Sequence, residues 1–234
     1  RWHTCSLCEQ SYHGVVRCAL GWACWKTYVG RPERDAFRIM AMQTLGSGLY
    51  VAKHYEDALP VQEAELPMLR RIGASEARIL AAQNNLSNTY QALGRFEAAM
   101  CLRRDVYSRH LKLNGEEDGA TVLAANNYAL SLLNLQRYTE IKSLLRRSLP
   151  MARRVLGEGH RLTLSMRSIY AEVLYKDASS TLDDLREAVT TLEEIVPTTR
   201  RVFGGAHPLT KMIEKGLRAA RAALRARGTP SSSA

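Results

Sequence analysis

The stretch AAQNNLSNTYQALGRFEAA, residues 81–99, decides the fold because a second stretch repeats its pattern. AANNYALSLLNLQRY, residues 124–138, places an asparagine pair, an apolar anchor and an arginine–aromatic turn 42 positions further along the chain. Within the first stretch, Leu86, Tyr90 and Leu93 recur at i, i+4 and i+7, which is the period of one face of an α-helix. The stretch therefore predicts a helix, a short turn at its glycine and the start of a second helix.

The same unit recurs along most of the chain. Gly73, Gly115 and Gly157 fall 42 residues apart, and Gly204 follows 47 residues later. The position after the anchor is small in every unit: Gly46, Ser87, Ala129 and Ala171. One helical hairpin cannot bury its own apolar face, whereas stacked hairpins share a continuous core. The sequence therefore predicts an all-α fold, a right-handed α-solenoid of four helical hairpins with a capping helix at its C-terminal end.

The repeat also sets the expected domain boundaries. We expect a Cys/His-rich head in residues 1–32, the solenoid in residues 33–227 and a disordered tail in residues 228–234. The hairpins and the capping helix are assigned to residues 33–73, 74–115, 116–157, 158–204 and 208–227. The five extra residues of the last interval fall in the polar stretch 176–184, because a surface loop tolerates insertion best.

The repeated residues carry a resemblance to a known family. The 42-residue period, the paired asparagines and the linkers LGEGHRLTL (156–164) and FGGAHPLTK (203–211) resemble the tetratricopeptide repeats of kinesin light chains. The resemblance covers about residues 34–225. It implies a scaffold or adaptor that binds a peptide or a helix of a partner protein in the concave groove of the solenoid.

The resemblance also implies which residues line that groove. The first helix of each hairpin faces the concave side in this family, and an asparagine amide there offers two donors and an acceptor to a peptide backbone. The expected groove residues are Asn84, Asn88, Asn126, Asn127, Gln43 and Ser168, with Ser47 and Glu172 at equivalent positions. The alternative role for such an amide is to set the spacing of neighbouring helices, and we favour that role for Asn85.

The head has the spacing of a CCHC zinc knuckle, in which thiolates and an imidazole complete a tetrahedral structural site. The expected Zn²⁺ ligands are Cys5, Cys8, His13 and Cys18, with Cys24 or His3 as alternatives. An odd cysteine count clustered at one end favours such a site over a disulfide framework. It also favours a reducing, cytoplasmic location.

The net charge of +10 raises a second functional hypothesis, a zinc-dependent nucleic-acid-binding protein that uses the head and the basic last helix. Residues 200–234 contain eight basic side chains and one acidic one, so this segment carries +7 of the total. Between Cys5 and Cys18 the only charges are Glu9 and Arg17, which is too little to attract phosphates. We therefore prefer a protein partner to nucleic acid.

Basic pairs recur on the second helices of the hairpins. For these pairs we favour a solvated face with acidic partners over a role in the groove. The pairs are Arg103-Arg104, Arg146-Arg147, Arg153-Arg154 and Arg200-Arg201.

Other function classes find little support in the sequence. The six histidines are scattered, and no phosphate-binding glycine loop, HExxH or GxSxG motif is present, so we do not expect an enzyme. His160 and His207 recur at one point of the linker, which is typical of a turn residue. No apolar run is long enough to cross a bilayer, so we expect no membrane partner. The sequence leaves the oligomeric state open.

Overall fold

A computed structural model describes residue 10 and residues 12–228 of the chain. These residues form α-helices and contain no β-strand, which confirms the all-α fold class. The helices are α1 (Gly14–Tyr28), α2 (Ala36–Val51), α3 (Tyr55–Arg71), α4 (Glu76–Ala92), α5 (Phe96–Asn114), α6 (Gly119–Asn134), α7 (Tyr138–Leu156), α8 (Arg161–Lys176), α9 (Leu182–Phe203) and α10 (Pro208–Gly228). None of the helices between residues 12 and 228 combines the length and the hydropathy that crossing a bilayer requires.

Packing divides the chain into two compact units, Arg1–Val106 and Tyr107–Ala234. The core of the first unit includes Ile39 of α2, Leu69 of α3 and Leu86 of α4, which pack in one apolar cluster. In the second unit, α6 packs on α7, α7 on α8, α8 on α9 and α9 on α10. The long fully buried side chains there are Leu132, Ile141, Leu145, Leu164, Met166, Leu174, Leu185, Leu192, Ile195 and Ile213.

The helix ends follow the sequence signals. Asp35 and Asp118 cap α2 and α6, and each carboxylate accepts bonds from two backbone N–H groups of the first turn. His160 and His207 have the expected turn role, since each Nδ1 accepts a bond from the backbone N–H two residues later, at 3.2 Å and 3.1 Å. The predicted turn glycines all have positive φ: Gly73, Gly94, Gly115, Gly157 and Gly204.

Helix α1 packs on the first hairpin through two glycines. A Cβ atom added to Gly21 would lie 3.0 Å from Leu45 Cα, and one added to Gly48 would lie 2.8 Å from the backbone oxygen of Arg17. Both contacts are with backbone atoms, so the two helices approach as closely as glycine allows. Trp25 of α1 packs on the buried cluster beneath this contact.

The inserted loop between α8 and α9 is anchored by hydrogen bonds. Asp177 accepts a bond from Lys142 Nζ at 2.6 Å, and bonds from the backbone N–H and the hydroxyl of Ser179 at 2.9 Å and 2.7 Å. The hydrogen bond from Lys142, followed by those from Ser179, lowers the pKa of Asp177 to about 2. Arg227 of α10 donates to the backbone oxygen of Ser180 at 2.6 Å. The prediction of a surface loop therefore missed that α7 and α10 hold this loop in place.

We expect Asp177→Ala to lower the free energy of unfolding by about 1–2 kcal/mol at neutral pH, because Lys142, whose side chain is 17% exposed, loses its carboxylate. Chemical denaturation monitored by circular dichroism measures the change. Asp183→Ala is the matched control, since that side chain is 88% exposed and, among the described residues, pairs only with Arg186 in its own helix; we expect it to change stability by about 0.5 kcal/mol or less. Equal losses in the two variants would contradict the anchoring role of Asp177.

Helix α10 docks one face and exposes the other. Leu209, Ile213 and Ala220 are buried, whereas Lys211 and Lys215 lie on the exposed side. Ion pairs tie the helix to α9: Glu214 accepts a bond from Arg200, and Arg221 donates to Glu193, both at 2.6 Å. An amphipathic helix with this division suits the end of a helical stack, as the sequence predicted.

Candidate functional site

The first unit contains a polar recess with a volume of about 160 Å³. Four helices contribute to it, and we call it the amide recess because three of its lining residues carry amide side chains. The lining residues are Arg17 of α1, Ser47, Tyr50 and Val51 of α2, Gln62 of α3, and Asn85 and Asn88 of α4. The recess therefore lies where the first helices of two successive hairpins face each other, with α1 contributing a cation.

Gln62, which lines the amide recess from α3, is held in place by hydrogen bonds at both ends of its side-chain amide. Gln62 is 2% exposed, and its Nε2 donates to the backbone oxygen of Gly46 at 3.4 Å. The hydroxyl of Thr89 donates to Gln62 Oε1 at 2.6 Å. The small residue at position 46 gives Gln62 room to cross, since a Cβ there would lie 3.1 Å from Gln62 Cγ. Both ends of the Gln62 amide are thus engaged within the protein.

The second hairpin repeats this arrangement with a charged side chain. Arg103 of α5 is 6% exposed, and its guanidinium donates to Ser87 Oγ at 3.3 Å, to Asn88 Oδ1 at 2.8 Å and to Gln91 Oε1. Burial lowers the pKa of Arg103, and the nearby Tyr50 opposes that shift. Because Asn88 Oδ1 accepts from Arg103, its Nδ2–H₂ group is left to face other partners.

The solvated face with acidic partners predicted for the basic pairs is wrong at the buried Arg103 and holds for four exposed arginines. Arg146 is exposed, but its Nε donates to the hydroxyl of Tyr170 at 3.4 Å. Arg104 is exposed. Arg147, Arg153, Arg154 and Arg200 are exposed and pair with Glu116, Glu158, Glu117 and Glu214, respectively.

Helix α1 places Arg17 at the edge of the amide recess. The close backbone contact at Gly48 fixes the position of Arg17 relative to α2. Nε of Arg17 is buried, and it has no hydrogen-bond partner among the described residues. The head of the chain therefore contributes a cation to the site, which the sequence did not predict.

The structure brings some of the expected groove residues together and separates others. Ser47 and Asn88 line the amide recess, and so does Asn85, for which we favoured a helix-spacing role. Asn84 and Asn127 are half-buried. Asn126 is only 5% exposed, and its Oδ1 has no hydrogen-bond partner among the described residues.

Gln43, another expected groove residue, is bound to a buried acid. It is hydrogen-bonded to Glu65 of α3, which is 1% exposed. Burial raises the pKa of Glu65 to about 7, and the bond from Gln43 only partly offsets this. Oε1 of Glu65 has no partner among the described residues. Gln43 therefore stabilises a core acid in this structure.

A separate recess of about 440 Å³ lies within the second unit. Ser168, an expected groove residue, lines it together with Glu172 at the equivalent position one turn later. The remaining lining residues come from α8, α9 and α10: Tyr175, Lys176, Leu192, Met212, Lys215, Gly216 and Ala219. Ser168 and Glu172 thus line a recess that is more apolar than the amide recess of the first unit.

The expected zinc ligands fall only partly within the described residues. Cys5, Cys8 and His3 lie outside them. His13 is exposed at the start of α1, whereas Cys24, the alternative ligand, is fully buried. Cys18 packs against the buried cluster of α2 and α3, and burial, with a smaller effect of Asp57, raises the pKa of its thiol. Within the described part of the chain, no three His, Cys, Asp or Glu side chains are grouped so as to hold a metal ion.

Comparison with known protein families identifies the repeat. Residues 79–118 and 121–162 match the family model described as tetratricopeptide repeat. These two segments therefore have the sequence pattern of tetratricopeptide repeats. The two matched segments cover most of the α4–α5 and α6–α7 hairpins, so the repeat identified in the sequence by its 42-residue period is confirmed there.

Solved structures extend the similarity over most of the chain. A putative kinesin light chain of Podosopora anserina with nearly identical TPR-like repeats has a TM-score of 0.67 at 19% identity, over 82% of this chain and 88% of that chain. BtubC (BKLC) from P. vanneervenii has a TM-score of 0.66 at 14% identity, over 93% and 95% of the two chains. The predicted resemblance to kinesin light chain repeats is therefore confirmed as a similarity of fold. No curated protein gives a significant match.

Proposed function

We propose that the chain is a protein-interaction scaffold, and that its first unit binds an extended peptide segment of a partner at the amide recess. The observation that carries this proposal is the set of lining side chains without partners in the protein. Among the described residues, the side chains of Ser47 and Asn85 and the hydroxyl of Tyr50 have no hydrogen-bond partner. Donors and acceptors left open at a surface recess suit a peptide backbone, which carries one donor and one acceptor per residue.

The arrangement of the recess supports a preformed site. Arg103 and Gln62 hold two of its walls through buried hydrogen bonds, so binding has little side-chain freedom to remove there. The presence of tetratricopeptide repeats is consistent with a scaffold role. Ser168 and Glu172 mark a second contact region in the second unit, and we propose that it takes part in partner binding as well.

Selection from a library of random peptides tests the proposal for the first unit. We expect peptides to be enriched on the intact chain and to bind Asn85→Leu at least about tenfold more weakly, a loss of about 1.4 kcal/mol or more, because leucine removes the amide and fills the recess. Fluorescence anisotropy of a labelled selected peptide measures both affinities.

Ala64→Leu is the matched control, since it adds the same side chain at an exposed position of α3. We expect this variant to bind with the affinity of the unmodified chain. Peptides that bind Asn85→Leu as tightly as the unmodified chain, or no enrichment over a column that carries Asn85→Leu, would contradict binding at the amide recess.

For the head, we propose a structural Zn²⁺ site with Cys5, Cys8, His13 and Cys18 as ligands. The support is the ligand spacing in the sequence. Cys24 is fully buried and Cys18 only partly, which favours Cys18 as the fourth ligand. Elemental analysis of the purified chain should give about one zinc per chain, and Cys8→Ser should lose it while Cys101→Ser keeps it. Zinc-free protein prepared under reducing conditions would contradict the site.

A further inference from the structure

Each open side chain of the amide recess can donate a hydrogen bond, and Arg17 can only donate. Arg17 contributes a guanidinium, Ser47 and Tyr50 contribute hydroxyls, and Asn85 contributes an amide N–H₂ group. None of these four side chains donates to or accepts from another described residue. The N–H₂ group of Asn88 adds a further donor, because Arg103 occupies its oxygen.

The charge around the recess has one sign. No Asp or Glu of the described residues lines it, whereas Arg17 does. Arg103 donates to Asn88 Oδ1 at 2.8 Å, so a second positive charge lies next to the lining residues of the recess. Tyr50 lies close enough to Arg103 for the two groups to affect each other electrostatically. A site that combines two guanidinium groups with neutral donors attracts an anion.

The number and the placement of the donors favour a phosphate monoester over a carboxylate. They come from α1, α2 and α4, so they surround the recess on several sides. A carboxylate is planar and offers two oxygens, whereas a phosphate monoester offers three oxygens in a tetrahedral array and carries a charge of about −1.5 to −2 at neutral pH. The volume of about 160 Å³ is far above the 10–15 Å³ or so that a single water molecule needs.

We propose that the amide recess binds the phosphate group of a phosphorylated side chain in the partner peptide, with Arg17 as its main cationic contact. This inference rests on the proposed peptide-binding function and adds the chemical class of the group recognised. The close approach of Gly48 to the backbone of Arg17 fixes the part of α1 that carries this side chain. Phosphorylation of the partner would then control its capture by this chain.

Titration of the ¹⁵N-labelled intact chain with inorganic phosphate at about pH 7.5, where the dianion predominates, tests the site directly. We expect saturable shifts of the Asn85 and Asn88 side-chain N–H₂ signals, and sodium acetate at matched ionic strength should give none. Arg17→Gln should weaken phosphate binding by about tenfold or more. Arg104→Gln, at an exposed arginine, should leave it unchanged.

Two peptide libraries, one with a fixed phosphoserine and one with a fixed serine, connect the site to the partner. We expect the phosphoserine library to be enriched on the unmodified chain but not on Arg17→Gln, and millimolar inorganic phosphate to compete. Equal shifts with acetate would replace phosphate by carboxylate as the ligand, and absent or non-saturable shifts would remove the anion site; either result overturns the inference. Serine peptides that bind at Asn85 without competition by phosphate would overturn it while leaving the proposed peptide-binding function intact.

Discussion

Gly48→Ala should lower the free energy of unfolding by about 2 kcal/mol, although alanine normally stabilises a helix interior relative to glycine by about 1 kcal/mol. The added Cβ would lie 2.8 Å from the backbone oxygen of Arg17 and 3.2 Å from Cys18 Cα. Backbone atoms cannot rotate away as the end of a side chain can, so α1 has to shift as a whole. Overpacking of this kind costs about 1–3 kcal/mol or more. Urea denaturation followed by circular dichroism gives the change.

Gly216→Ala is the matched control for this substitution, since it adds the same atom to the interior of another helix. There the new Cβ meets the Cδ atoms of Leu192 at 3.8 Å and 3.9 Å, which is ordinary contact. We expect a gain of about 0.5–1 kcal/mol from the smaller conformational freedom of the unfolded chain. A gain of the same size in Gly48→Ala would show that α1 does not approach α2 closely in solution.

Glu65→Gln should make the protein more stable than the unmodified chain at alkaline pH and nearly equal to it at acid pH. Burial raises the pKa of Glu65 from 4.5 to about 7. An acid whose pKa is raised on folding binds more protons in the folded state between these two values, so the stability of the unmodified chain falls as pH rises from about 4.5 to about 7. Above that range the whole cost of ionisation is present, about 3 kcal/mol.

Unfolding by urea at about pH 5 and about pH 8 measures this difference. At the higher pH we expect Glu65→Gln to exceed the unmodified chain by about 3 kcal/mol, and at the lower pH the two should agree within about 1 kcal/mol. Glu63→Gln on the same helix is the control, because Glu63 is exposed and the amide still offers an oxygen to the hydroxyl of Tyr90. A stability gain that is the same at both pH values would show that Glu65 does not titrate in this range.

The repeat could be predicted from the sequence because it depends on local spacing. The 42-residue offset between Asn85 and Asn127 and the apolar period at Leu86 and Tyr90 report helix faces directly. These features depend on neighbours within one or two turns, so a single sequence contains enough information to find them. The two matched tetratricopeptide segments begin at residues 79 and 121, which repeats the 42-residue period.

The amide recess could not be predicted in the same way, because it depends on which long side chain crosses between two helices. Gln62 follows the small residue Gly46 by 16 positions, and Arg103 follows Ser87 by the same 16. The third hairpin places Leu145 at this distance from Ala129, so its equivalent position is apolar. The 16-residue spacing from a small residue could have indicated that Arg103 is buried. The Arg103-Arg104 pair by itself could not indicate this.

Two other features could not be predicted from sequence patterns. Arg17 belongs to the head, and its place beside Ser47 follows from the contact at Gly48, a packing event between segments of different pattern. The raised pKa of Glu65 follows from complete burial of an acid on a helix whose other acids, Glu56, Asp57 and Glu63, are exposed. Both depend on tertiary packing rather than on residue type or period.

The central claim is that partner peptides bind at the amide recess, and the side-chain amide signals of the first unit test it most directly. In the ¹⁵N-labelled chain, titration with a peptide selected from the random library should shift the N–H₂ signals of Asn85 and Asn88. The signals of Asn114 and Asn134, which are exposed in other parts of the chain, should stay unchanged. Shifts confined to Asn114 or Asn134, with Asn85 and Asn88 unaffected at saturation, would contradict the account.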